Sequence, residues 1–140
     1  NVVHYGYIEK FIEQLGEKYN IREIAFDRWG AVQMTQNLEN LGFTVVPFGQ
    51  GFKDMSPPTK ELMKLTLEQK LAHGGHPVLR WMMDNIYIRT DPAGNIKADK
   101  EKSTEKIDGA VATIMALDRA IRCGNVTSES VYDTRGLLVF

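Results

Sequence analysis

Ile24-Ala25-Phe26-Asp27-Arg28-Trp29-Gly30 is an apolar run that stops on a carboxylate. From Ile21 to Phe26 the residues become steadily more apolar, as in a strand buried on both faces of a helix-covered sheet. Arg28, Trp29 and Gly30 break that pattern before a helical period begins. Asp27 therefore falls at the carboxyl end of an expected parallel strand, where open α/β sheets hold their ligands. A plainer role is also available: Asp is a frequent N-cap, and a helix follows. On these residues alone both roles stay open.

Upstream, residues 1–20 are expected to be helical, with Ile8, Phe11, Ile12 and Leu15 facing inward and Glu9, Lys10, Glu13 and Glu17 outward. Gly16 reads as a weak point in that helix and Asn20 as its stop. Downstream, Ala31, Met34, Leu38 and Leu41 form a helical stripe ended by Gly42, and residues 43–48 read as a second strand. Pro47 places that strand at an edge or near its end. Strand, helix, strand is the pattern of a parallel βαβ unit.

Residues 49–55 read as a flexible loop. Ser56 with Pro57 and Pro58 reads as a helix start, since a proline in the first turn lacks only an N–H that has no partner there. That helix is expected to run to Gly74-Gly75, followed by a shorter one after His76-Pro77. Residues 87–98 form an expected β-hairpin around Asp91-Pro92-Ala93-Gly94. A lysine-rich link, 99–103, leads to a last helix whose buried face is Ile107, Val111, Ile114, Leu117 and Ile121. The expected division is a domain over 1–125 and a C-terminal tail or docking peptide over 126–140.

The chain of 140 residues suits a single core, and its formal charge of −1 gives no global attraction to nucleic acid. Any DNA-binding surface must then be a local patch. A lone Cys123 excludes an internal disulfide and a thiolate zinc site, favours a reducing compartment, and reads as a small buried hydrophobe. No apolar run approaches the ~20 residues that cross a bilayer, and no signal-peptide pattern is present. The expectation is a soluble, intracellular protein with no membrane partner.

Asp108 is the second carboxylate of interest, in the first turn of the apolar last helix. Alone it is best explained by a favourable interaction with the helix N-terminus. Glu105 lies three residues earlier and so on the same helical side, and the small residues Gly109 and Ala112 leave the backbone around Asp108 accessible. A hard divalent cation takes one or two carboxylates plus phosphate oxygens. Spacing alone does not bring Asp27 and Asp108 together. His73 and His76, with no third ligand, are better read as caps or solvent-facing groups than as a metal site. Trp29 and Trp81 are more commonly core or interface than base-stacking platforms. Arg28, Lys100, Lys102 and Lys106 could contact phosphates, although any one lysine there is more simply a solvated charge.

Three blocks taken together carry a resemblance. They are Ile24 to Ala31, His76-Pro77-Val78-Leu79-Arg80-Trp81 with Asn85, and Lys102-Ser103 with Glu105 to Ala112. In this order, and with Ser130-Val131-Tyr132-Asp133 and Arg135-Gly136-Leu137 in the tail, they resemble the nuclease domain of tailed-phage terminase large subunits. The resemblance spans nearly the whole chain. It implies a ribonuclease H-like mixed α/β sheet flanked by helices and a metal-dependent endonuclease of a viral genome-packaging motor, cutting concatemeric DNA. It also implies a two-metal site of Mg²⁺ or Mn²⁺ with Asp27 and Asp108 as catalytic metal ligands, Glu105 beside them, and Arg28, Lys102 and Lys106 on DNA. The implied partners are double-stranded DNA, the portal protein, the small terminase subunit and an ATPase domain upstream in the full-length chain. The implied setting is the cytoplasm of a bacterial host, the gene belonging to a phage or prophage.

The sequence departs from that pattern in one respect. It opens at what reads as the fold's first helix, so the N-terminal three-strand meander with its acidic residue is expected to be missing, leaving a sheet edge open to self-association. A non-catalytic portal or capsid docking module is the alternative function. An unrelated phosphate-binding α/β domain using Gly49 and Gly51 is a third, with too few glycines to stand alone.

Overall fold

The computed structural model describes residues 4–29 and 32–124, together with the backbone of 138 and 139. The remaining tail residues, with the features expected of them, lie outside the described residues. The chain divides into two compact units, Asn1–Gly49 and Gln50–Phe140.

In the first unit the order is α1 (Tyr5–Lys18), β1 (Ile24–Asp27), α2 (Val32–Asn40) and β2 (Val45–Phe48). The two strands pair in parallel, Asp27 opposite Phe48, so the expected βαβ unit forms. β1 is not buried on both faces, however: Ile24, Ala25 and Phe26 are only half-buried. A two-stranded ribbon cannot cover its own faces. The inner face of α1 also differs from expectation, since Ile8 and Phe11 are exposed and the half-buried positions are Glu9, Ile12, Leu15 and Gly16. The reason is what α1 meets. Asn37 of α2 donates from Nδ2 to Glu9 Oε1 at 2.8 Å, and a Cβ on Gly16 would lie 2.8 Å from Cζ of Phe43. Gly16 is therefore a point of close approach.

The second unit contains α3 (Phe52–Leu67), β3 (Leu71–Ala72), α4 (Pro77–Asp84), β4 (Ile88–Thr90), β5 (Ile96–Ala98), α5 (Asp108–Cys123) and β6 (Leu138–Val139). α3 and α4 pack on α5, and α3 also packs on β5. The centre is the expected face of α5: Ile107, Val111, Ile114 and Leu117 are buried, with Ala110 and Met115. Ile121 is not part of it, being 52% exposed, because the buried face in the last turns passes to Asp118, whose carboxylate Arg122 holds at 2.9 Å.

α3 overturns two expectations. Residues 49–55 are not all loop, and Ser56 is no cap: the helix starts at Phe52 behind Gly51, with Pro57 and Pro58 inside it. Each internal proline removes a helical hydrogen bond. Burial outweighs that loss, since Met55, Ser56, Pro58 and Thr59 are all buried. Ser56 Oγ instead accepts from the backbone N–H of Ile96 at 3.1 Å, fastening β5 to α3. The helix then ends at Leu67 rather than near Gly74. Gln69, at φ +57°, donates to Thr66 and Lys70 donates to Leu65, a left-handed C-terminal closure that a glycine would normally provide.

The hairpin forms where expected, with Ile88 opposite Ala98, Arg89 opposite Lys97 and Thr90 opposite Ile96. Asp91 closes its turn by accepting from the backbone and side-chain N–H groups of Asn95, both at 2.8 Å. The end of the expected tail returns to the unit as β6, pairing in parallel with β3. The architecture is thus mixed α/β, with small two-stranded sheets flanked by helices. No helix among the described residues is long and apolar enough to cross a membrane.

Candidate functional site

Asp27 sits at the last position of β1 and is exposed. Its Oδ1 accepts from the backbone N–H of Trp29 at 3.3 Å, a local turn closure. α2 starts only at Val32, so Asp27 is not the N-cap of that helix. Trp29, expected in a core or interface, is 85% exposed here.

Asp108 is the first residue of α5, where the partial positive charge of the helix N-terminus favours a carboxylate. Lys100 Nζ lies 3.1 Å from its Oδ1, and both side chains are largely exposed. The reasoning on its neighbours needs correction. Gly109 does not open space around Asp108: its N–H points to Met82 Sδ at 3.2 Å, and an added Cβ would meet that sulfur at 2.7 Å. α4 packs on α5 at this point, so a side chain at 109 would have to push the Met82 thioether aside. Glu105 is exposed and lies in a bend ahead of α5, so helical spacing does not relate it to Asp108.

Lys102 and Lys106 are exposed on the same link, and Lys102 Nζ stands 5.5 Å from the centre of the Tyr87 ring. Arg28 is exposed one residue after Asp27. His73 and His76 use their Nδ1 atoms to accept from the backbone N–H groups of Gly75 and Val78, the second capping α4, as expected of local caps. Cys123 is half-buried rather than buried.

Sequence reasoning missed Asp99 and Asp118, both buried carboxylates. Asp99 Oδ1 accepts from the N–H groups of Glu101 at 2.9 Å and Lys102 at 3.2 Å, while its backbone oxygen accepts from Ser103 Oγ at 2.7 Å. Burial pushes the Asp99 carboxyl up, but those hydrogen bonds and the charges of Arg89 and Lys102 prevail and hold it below its ordinary value. An Asp two and three residues ahead of free N–H groups is the one signal that could have found it. Asp99 organises the link that carries Lys100 and Lys102 up to Asp108.

Asp27 and Asp108 offer exposed, hard oxygen donors, and Asp108 already holds a cationic group. That donor chemistry fits Mg²⁺ or Mn²⁺, which bind through one or two carboxylates with water and phosphate oxygens completing the shell. It does not call on His73 or His76, whose Nδ1 atoms accept backbone N–H groups. Among the described residues no three His, Cys, Asp or Glu side chains gather into one cluster.

Residues 2–123 match the family described as terminase large subunit, endonuclease domain. The chain is 38% identical over 129 residues to the terminase large subunit of Enterobacteria phage HK97, covering 91% of this chain and 25% of that protein. It is 32% identical over 121 residues to Protein YmfN of Escherichia coli (strain K12), covering 85% and 27%. The crystal structure of the HK97 bacteriophage large terminase superposes with a TM-score of 0.76 at 38% identity, over 84% of this chain and 25% of that one. That likeness agrees with a ribonuclease H-like fold. The chain spans about a quarter of the length of these relatives.

Proposed function

Because the chain belongs to the terminase large subunit endonuclease domain family, we propose that it hydrolyses phosphodiester bonds of concatemeric double-stranded DNA with divalent metal, as the nuclease of a phage packaging motor. The observation that carries this reading is a pair of exposed carboxylates, one ending a strand and one opening a helix, in a chain of that family. Asp27 and Asp108 would each offer a carboxylate to Mg²⁺ or Mn²⁺. Such a cation lowers the pKa of a bound water and offsets charge on the scissile phosphate. Lys100 would compete with such a cation for Asp108 Oδ1, and Glu105 would accept hydrogen bonds from water that the cation holds. Arg28, Lys102 and Lys106 hold phosphate oxygens through sequence-independent contacts. On the same reading the partners are the portal protein, the small terminase subunit and an ATPase domain, in the cytoplasm of a bacterial host.

The test is plasmid nicking with Mn²⁺ by the parent, Asp27→Ala and Asp108→Ala, made both in this chain and in a longer chain carrying the upstream domain. Metal-dependent nicking abolished by each substitution supports one working site. Nicking that survives either substitution removes that carboxylate from the site. A longer chain that binds DNA but never nicks it would turn the reading toward a docking module.

A further inference from the structure

The β4–β5 hairpin carries an arrangement that the metal site does not use. Arg89 and Lys97 are direct cross-strand partners, and like charges in such positions weaken a ladder. Both head groups nevertheless sit over one ring, that of Phe52 at the start of α3. The Arg89 guanidinium is 6.0 Å and the Lys97 ammonium 5.1 Å from its centre. Tyr87, just ahead of β4, carries Lys102 at 5.5 Å.

Three cations therefore stand over aromatic rings at this hairpin. Asp99 lies beside them, with Oδ2 4.0 Å from Arg89 Nη1 and Oδ1 already held by the N–H groups of Glu101 and Lys102. Counting Arg89, Lys97 and Lys102 against Asp99 leaves +2 on a chain whose formal net charge is −1.

Cohesion does not explain the two facing cations. The hairpin is already fastened to α3 by the bond between Ile96 N–H and Ser56 Oγ, and Ala98 is buried. An apolar residue at either position would cover Phe52 without the repulsion. A cation on an aromatic face keeps its outward N–H donors while the ring's attraction holds it in place. A planar guanidinium and an ammonium are both groups that bind phosphate oxygens.

We propose that Arg89 and Lys97, mounted on Phe52, form a contact site for the phosphate backbone of double-stranded DNA, continuing from Lys102, which stands on Tyr87. This rests on the nuclease reading for its choice of DNA over other polyanions. The contacts position the duplex and carry no base preference.

The test is fluorescence anisotropy of a short labelled duplex with metal chelated, over a salt series from about 50 to about 200 mM. Arg89→Gln and Lys97→Gln each reduce the steepness of log affinity against log salt by about 0.9, the value for one phosphate contact. Arg89→Lys keeps the parental steepness, which separates lost charge from lost packing, and thermal melting of every variant checks the fold. Parental steepness in both glutamine variants overturns the proposal, and so does a parent chain that does not bind duplex. Nicking by the parent with unaltered salt slopes in the variants would sink this site alone. Altered slopes without any nicking would sink the nuclease reading alone.

Discussion

Lys100 Nζ lies 3.1 Å from Asp108 Oδ1, so the carboxylate that opens α5 carries a cation of the chain itself. Exposed pairs of this kind contribute about 0.2–1 kcal/mol. A divalent ion must displace the ammonium before using that oxygen. Lys100→Met is therefore expected to tighten Mn²⁺ binding by up to about fivefold in calorimetric titration. Unchanged or weaker affinity would show that Lys100 does not compete for the site.

Gly16 faces the ring edge of Phe43, where a Cβ would lie 2.8 Å from Cζ. Gly16→Ala gains helix propensity of up to about 1 kcal/mol but overpacks a contact at about 1–3 kcal/mol. The expected net result is a loss of about 1 kcal/mol in urea unfolding. In a Phe43→Ala background the obstacle is gone, and the same substitution is expected to stabilise. A sign that stays negative in both backgrounds would refute the steric account.

Gln69 closes α3 at φ +57°, a left-handed conformation that costs a side chain about 1–2 kcal/mol. Gln69→Gly keeps the two closing hydrogen bonds and removes that strain, while loosening the unfolded chain somewhat. Stability is expected to rise by about 1 kcal/mol, seen as a higher denaturant midpoint with unchanged slope. A lower midpoint would mean that the Gln69 side chain has a role of its own.

Burial works against it, yet N–H groups of Lys102 and Glu101 and the nearby cations Arg89 and Lys102 hold the Asp99 carboxyl below its ordinary value. A lowered folded value means that its contribution is complete above the unfolded pKa and lost as pH falls through the folded one. Asp99→Asn is thus expected to be less stable than the parent at about pH 7, with the gap narrowing below about pH 4. Urea midpoints across that range provide the check; a gap that does not change with pH would place the effect in geometry rather than charge.

Much of the order of elements was legible because its signals are local. The β1–α2–β2 unit, the hairpin with its Asp91 turn and the inner face of α5 follow from residues spaced two, three and four apart. The blocks around Asp27, His76 and Asp108 also led to the terminase nuclease family, which the comparisons bear out. Local signals misled where distant partners intervened. Ser56-Pro57-Pro58 reads as a helix start until the buried face of α3 and a bond to Ile96, 40 residues away, draw it inside the helix. Gly109 looks like open space until Met82 of α4 fills it.

By itself, then, the sequence determined the βαβ unit, the hairpin, the central helix and the two carboxylates worth testing, since periodicity and turn chemistry act between near neighbours. Only the tertiary structure decided that Lys100 sits on Asp108, that Asp99 is buried and bonded, and that Arg89 and Lys97 share the ring of Phe52. The last of these joins residues more than 35 positions apart. No local pattern encodes such a meeting; packing of helix against hairpin creates it.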